Sequence, residues 1–196
     1  MKKQPKQERS QVMVESILEA ATRVLSISKL SQMTTNKLAD IAGVSIGSLY
    51  DYFPNKNSIV VTLMDKRMQA HLDKFFLSLD SQDSIEGLIQ VTLDMIRDEY
   101  VAKKQFLREV FILAPENGRM EALFLNRIKA QKGFENFLIN KVGKDKLWAE
   151  KKSFIITHAI IGAIETFIIV DDMNFTGEDF IAEMRTLMYG YMMASE

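Results

Sequence analysis

A chain of 196 residues, 47% hydrophobic and 26% charged, is long enough to bury a core and reads as a soluble globular protein. It contains no cysteine, which excludes disulfide scaffolds, thiolate metal sites and cysteine nucleophiles. The net charge of −1 is unevenly spread: residues 1–60 carry eight basic and five acidic side chains, a surplus of +3 that leaves −4 for the rest. A basic end on an acidic body suits a polyanionic partner.

Residues 1–9 are polar and basic with no apolar run, so no signal peptide is expected there. Lys2, Lys3, Pro5, Lys6 and Arg9 form either an arm that reaches phosphates or a minor groove, or a solvated tail. Apolar residues then recur at helical spacing. Ile17, Ala20, Ala21, Val24 and Leu25 mark a first helix. Leu38, Ala39 and Ile41 mark a second that opens at Thr34, with Leu38 and Ile41 expected to face inward. A third follows Gly43 and carries Ile46, Leu49, Tyr50 and Phe53.

After Pro54 the run Ile59, Leu63, Met64, Leu72, Phe75, Leu79 predicts a long helix. Asp83 with Glu86 resembles a capping pair for the next, over Ile85, Leu88, Ile89, Met95 and Ile96. A helix with Phe106, Leu107, Val110 and Phe111 should stop at Pro115, and another runs from Met120 to near Gly143. The last two are expected from Leu147 to about Asp171 and from Phe180 to about Met193, with Thr176 and Asp179 capping the latter. No segment alternates with period two. The expected fold is all-α with about nine helices: a three-helix domain over residues 1–56 and a larger helical bundle over residues 57–196.

The stretch 153–170 is apolar enough to pose the question of a membrane span. It holds His158 and Glu165, and a carboxylate in mid-span costs about 2.5–3.5 kcal/mol, so a buried helix is the better reading. A cytoplasmic location and no membrane partner are expected.

Function is concentrated between Thr34 and Lys56. A threonine cap opens a short helix, Gly43 ends it at a position tolerant of positive φ, Val44 fills the turn, and Ser45 caps the next helix. Two short helices joined by so tight a glycine turn cross steeply, the geometry of a helix-turn-helix whose second member can enter a major groove. The run Ile41-Ala42-Gly43-Val44-Ser45-Ile46-Gly47-Ser48-Leu49-Tyr50-Asp51-Tyr52-Phe53-Pro54-Asn55-Lys56 resembles the most recognisable stretch of the TetR family of bacterial repressors. That resemblance covers about residues 10–65.

It implies a dimeric transcriptional regulator, most simply a repressor, on a pseudopalindromic operator. Thr35, Asn36, Lys37 and Lys56 are the expected phosphate contacts, and Ser45, Ile46, Gly47, Ser48, Tyr50 and Tyr52 the expected DNA-facing residues of the recognition helix. Leu49 and Phe53 should be core. Many relatives carry lysine where this chain has Ile46, and a basic or imidazole side chain where it has Asp51. With no Arg, Asn or Gln on that helix, reading should lean on hydroxyl hydrogen bonds, Ile46 against a thymine methyl, and DNA shape.

The resemblance also implies a homodimer through the two C-terminal helices and a small-molecule effector. Twelve methionines and twelve phenylalanines offer adaptable walls for a lipophilic ligand. The candidates are Met68, Met95, Phe106, Phe111, Phe124, His158 and Glu165, each with plain packing or pairing as the alternative. No cofactor, metal or catalytic residue is expected, since no nucleophile–base set, phosphate loop or metal-ligand spacing occurs. The alternative function is a helical small-molecule binder that has lost sequence-specific DNA binding.

Overall fold

The computed structural model describes residues 4–111 and 120–194, and among them nine α-helices and no strand. Lys2, Lys3 and Pro115 lie outside those residues. The helices are α1 (Gln4–Ile27), α2 (Thr35–Ala42), α3 (Ile46–Tyr52), α4 (Lys56–Asp80), α5 (Ile85–Met95), α6 (Lys104–Phe111), α7 (Met120–Asn140), α8 (Lys146–Ile169) and α9 (Gly177–Met193). A 3-10 turn, Leu30–Gln32, joins α1 to α2, and a π-helical segment, Ile96–Val101, follows α5.

The described residues fall into two compact units, and the chain enters the first twice. Among the described residues that unit comprises 4–68 and 105–111; the second comprises 69–104 and 120–194. The boundary expected between residues 56 and 57 lies inside the first unit.

In the first unit α1 buries Ile17, Val24 and Leu25 against α2, whose inward side is Leu38 and Ala39. Ile41 does not join them: it is 40% exposed. At 100° per residue it sits about 110° from the midpoint of Leu38 and Ala39, too far round an eight-residue helix to reach the same core. Leu49 and Phe53 do face inward, and Met33 and Ile59 are buried as well. Leu38→Ala is expected to cost about 2–5 kcal/mol, read from urea unfolding, because the side chain has no exposure and the site is closed on all sides.

Helix α1 starts earlier than its apolar stripe suggested, taking Pro5, Lys6 and Arg9 into its first turns. Proline is tolerated there because its missing N–H has no helical partner to lose.

In the second unit α7 and α8 pack along their lengths, and α5, the π segment and α9 complete the core. Phe167 stacks on Phe180 with ring centroids 4.4 Å apart, and Phe75 on Phe134 at 5.6 Å. Gly133 lets α7 meet the ring of Phe76; a Cβ there would overlap it. The cap of α5 is Ser84, whose Oγ accepts from Gly87 N at 3.1 Å, not the Asp83–Glu86 pair. The helix starts one residue later than read, and Ser84 meets the free N–H groups. The pair at α9 forms as expected: Asp179 N donates to Thr176 Oγ1, and Thr176 N and Oγ1 both donate to Asp179 Oδ2 at 2.8 Å. Those bonds hold the Asp179 carboxyl below its ordinary range.

By length and composition α8 alone among the described helices would cross a membrane. Its inward side, Ile156, Ile160, Ile164, Phe167 and Ile168, is core, and its Glu165 pairs with Arg127 of α7.

Candidate nucleic-acid interface

The turn between α2 and α3 is fixed by local bonds. Thr34 Oγ1 accepts from Lys37 N at 3.2 Å and caps α2. Gly43 closes that helix at φ 68° and ψ 31°, a left-handed conformation that favours glycine. Its N–H and that of Val44 satisfy the last carbonyls of α2, with Val44 N bonding Ala39 O at 3.0 Å. Ser45 Oγ then accepts from Ser48 N at 3.0 Å and starts α3.

Leu49 is fully buried and Phe53 nearly so, which fixes the rotation of α3 about its axis. The opposite side is therefore turned outward: Ser45, Ile46, Gly47, Tyr50, Asp51 and Tyr52 are exposed, and Ser48 is half-buried. Three hydroxyl bonds order this surface. Tyr50 OH lies 3.1 Å from Thr35 Oγ1, Ser45 Oγ lies 2.8 Å from Ser48 Oγ, and Tyr52 OH donates to Ser10 Oγ at 3.1 Å. Each leaves a lone pair or proton for a further partner. Asn36 and Lys37 are exposed at the start of α2. The arrangement is a short rod with a polar and aliphatic outward face, flanked by a helix N-terminus and an ammonium that suit phosphates.

Lys56 opens α4 but turns inward. Its Nζ donates to the carbonyls of Leu30 at 3.2 Å and Met33 at 3.4 Å.

The residues expected around an effector are divided between the two units. Met95 lines a cleft of about 230 Å³ in the second unit, together with His71, Phe75, Val91, Asp98 and Glu99. Phe106 is buried in the first unit with the Arg67 guanidinium 4.7 Å from its ring centroid, and Phe111 and Met68 are half-buried in that unit. Phe124 is exposed beside Arg127. His158 Nδ1 lies 2.8 Å from the Phe154 carbonyl, so that nitrogen carries the proton. Glu165 is held by Arg127.

Sequence reasoning did not single out Tyr100, whose OH lies 3.1 Å from His71 Nε2. Burial first, and then the charges of Glu99 and Glu165, push its phenol well above the ordinary value. Nor did it single out Arg127, whose Nε is buried without a hydrogen-bond partner among the described residues, as is the hydroxyl of Thr157. Tyr100 and His71 meet by tertiary packing, and no local spacing announces the contact.

Comparison with known proteins supports the same region. Residues 17–63 match the profile of the bacterial regulatory proteins, tetR family. The nucleoid occlusion factor SlmA of Idiomarina loihiensis is 25% identical over 197 aligned positions, covering 88% of this chain and 92% of that protein. The HTH-type transcriptional regulator TtgR of Pseudomonas putida is 32% identical over 72, or 37% of this chain and 34% of that one. Among solved structures, the TetR-family repressor FadR of Thermus thermophilus, in complex with lauroyl-CoA, superposes with a TM-score of 0.62 at 15% identity, over 93% of this chain and 96% of that one.

Proposed function

The chain belongs to the TetR family of bacterial transcriptional regulators, and from that premise we propose that it represses transcription from a pseudopalindromic operator, which it binds as a homodimer and leaves when a small lipophilic effector is bound. The observation that carries this reading is the outward face of α3, kept clear of the core by Leu49 and Phe53 on its other side. Ser45, Ile46, Gly47, Ser48, Tyr50 and Tyr52 meet the major groove, with Ile46 against a thymine methyl and the hydroxyls on base edges or phosphates. Thr35, Asn36 and Lys37 hold phosphates beside them. A bacterial operator is a cytoplasmic target, so the proposal includes a cytoplasmic location.

The C-terminal bundle binds effector and partner. Its second copy docks on α8 and α9, because the outward side of α8 carries large apolar residues between its charged ones: Leu147, Phe154, Ile155 and Ile169 are each about half exposed or more. The partnerless Arg127 Nε and Thr157 hydroxyl suit an effector with a polar end on an apolar body. Lauroyl-CoA, bound by the Thermus thermophilus relative, is the first probe. Two recognition helices must span successive major grooves, about 34–36 Å apart. An effector that favours another spacing lowers affinity by its differential binding to the two states.

Selection from a random duplex pool tests the reading: the retained fragments should converge on two half-sites related by two-fold symmetry, with affinity that falls steeply as salt rises. Lys37→Glu should weaken binding about tenfold or more and lower the salt slope by about one. Lys37 is the cleaner position for a charge reversal, since a carboxylate at Lys56 would face two carbonyls. A folded chain that enriches no sequence would leave the alternative, a small-molecule binder without operator recognition.

A further inference from the structure

We propose that Glu109 is a positioning residue for operator binding: from α6 it grips the turn that precedes the helix-turn-helix and so sets the pose of α2 and α3. The inference rests on the operator-binding reading above. The main chain of Leu30 is held on both sides. Its N–H donates to Glu109 Oε2 at 2.6 Å, and its carbonyl accepts from Lys56 Nζ at 3.2 Å. An anion on the donor and a cation on the acceptor make both bonds charge-assisted, the stronger class. Glu109 is 7% exposed, so water competes little for its carboxylate. A carboxylate placed there without donors would be costly, and the Leu30 N–H, with Gln105 Nε2 at 3.5 Å from the other oxygen, supplies them.

The grip is close to the reading surface along the chain. Lys56 also holds Met33 O, Met33 is fully buried, and the next residue, Thr34, is the cap of α2. From there to Ser45 every junction is closed by a hydrogen bond: Thr34 to Lys37, Gly43 and Val44 to the last carbonyls of α2, and Ser45 to Ser48. A displacement at Leu30 therefore has no slack to disappear into before it reaches α3.

Glu109 also stands at a particular place in the covalent chain. It follows Leu30 by 79 residues, and among the described residues 105–111 belong to the helix-turn-helix unit while 69–104 and 120–194 fold with the other unit. The helical path leading to it is not uniform: α5 gives way to the π-helical segment Ile96–Val101 just before α6, and such segments are frequent at functional sites.

If Glu109 merely stabilised the turn, its loss would lower the melting temperature and leave the affinity of folded molecules alone. The test compares Glu109→Ala and Glu109→Gln on the selected duplex and on a random duplex of equal length, at a temperature where melting curves show the variants folded. Glu109→Ala should weaken the selected duplex about tenfold while leaving the random duplex unchanged, and should speed hydrogen exchange at the Leu30 amide. Glu109→Gln keeps an oxygen that accepts the N–H but loses the charge, so its loss should be roughly two- to fivefold. Wild-type affinity for the selected duplex in the folded alanine variant, or an equal loss on both duplexes, overturns the proposal. Should the alanine variant not fold, the glutamine variant decides alone, and no loss there overturns it. Failure of the unmodified chain to select any duplex strikes instead at the operator-binding reading.

Discussion

Replacing Gly47 with leucine is expected to abolish binding to the selected operator while leaving the melting temperature unchanged or higher. Gly47 sits in α3 with ordinary helical backbone, and a Cβ built there meets only Ser45 Oγ, at 3.8 Å. Nothing in the free protein requires glycine at this position. Glycine in a helix costs roughly 1 kcal/mol relative to good helix formers, so leucine should favour the folded state if anything. What the substitution fills is the space outside the helix, between Ile46 and Tyr50, where a duplex would lie. Its bulk would hold the rod off the groove floor and break every base contact together. Gly47→Ala, one carbon larger, should be far milder. Fluorescence anisotropy on labelled duplex, paired with a thermal melt, separates the two effects. Undiminished binding by the leucine variant would mean that another surface meets DNA.

The second large effect is expected from Ile155→Asp on α8. Ile155 is 49% exposed, so a carboxylate there stays hydrated in the lone chain and folding should be preserved. In a dimer built on the outward face of α8 the same carboxylate would lose its water among Leu147, Phe154 and the partner copy, and Lys151, one turn earlier, would answer it only in part. Burying an unpaired charge costs several kcal/mol, enough to dissociate a dimer of ordinary stability. Sedimentation should then show a monomer where the unmodified chain is a dimer. Operator affinity should fall by about 10²–10⁴, since two linked recognition helices gain that much over one. A variant that remains dimeric would move the interface elsewhere.

The two predictions draw on features with different legibility. The α2–α3 turn could be read from the sequence because each of its determinants is local: Thr34 and Ser45 cap helices within three residues, Gly43 takes its positive φ whatever lies beyond it, and Leu49 and Phe53 recur at helical spacing. The Thr176–Asp179 box is legible for the same reason. Periodicity loses its power on short helices. In α2 it placed Ile41 inward, where Leu38 and Ala39 already fill the core side. At α5 the sequence pointed to the Asp83–Glu86 pair, and the cap is Ser84, one residue on.

Long polar side chains are harder still. Lys56 lies beside the motif and its charge suits a phosphate, yet two carbonyls of a turn more than twenty residues upstream claim it. Its direction is set by where the Leu30 turn comes to rest, which no spacing encodes. Glu109 belongs with it, invisible in sequence because its partner is 79 positions away. The effector candidates show the limit most clearly. Methionine and phenylalanine on an apolar stripe look the same whether they line a cleft, as Met95 does, or pack beneath an arginine, as Phe106 does. The π segment beside that cleft has no composition of its own.

The most direct trial of the claim that α3 enters the major groove is guanine N7 methylation interference on the selected duplex, because N7 lies on that groove's floor. Two patches of interference are expected, centred about 10–10.5 base pairs apart or at a multiple of that spacing. Binding undisturbed by N7 methylation throughout the site would contradict the claim.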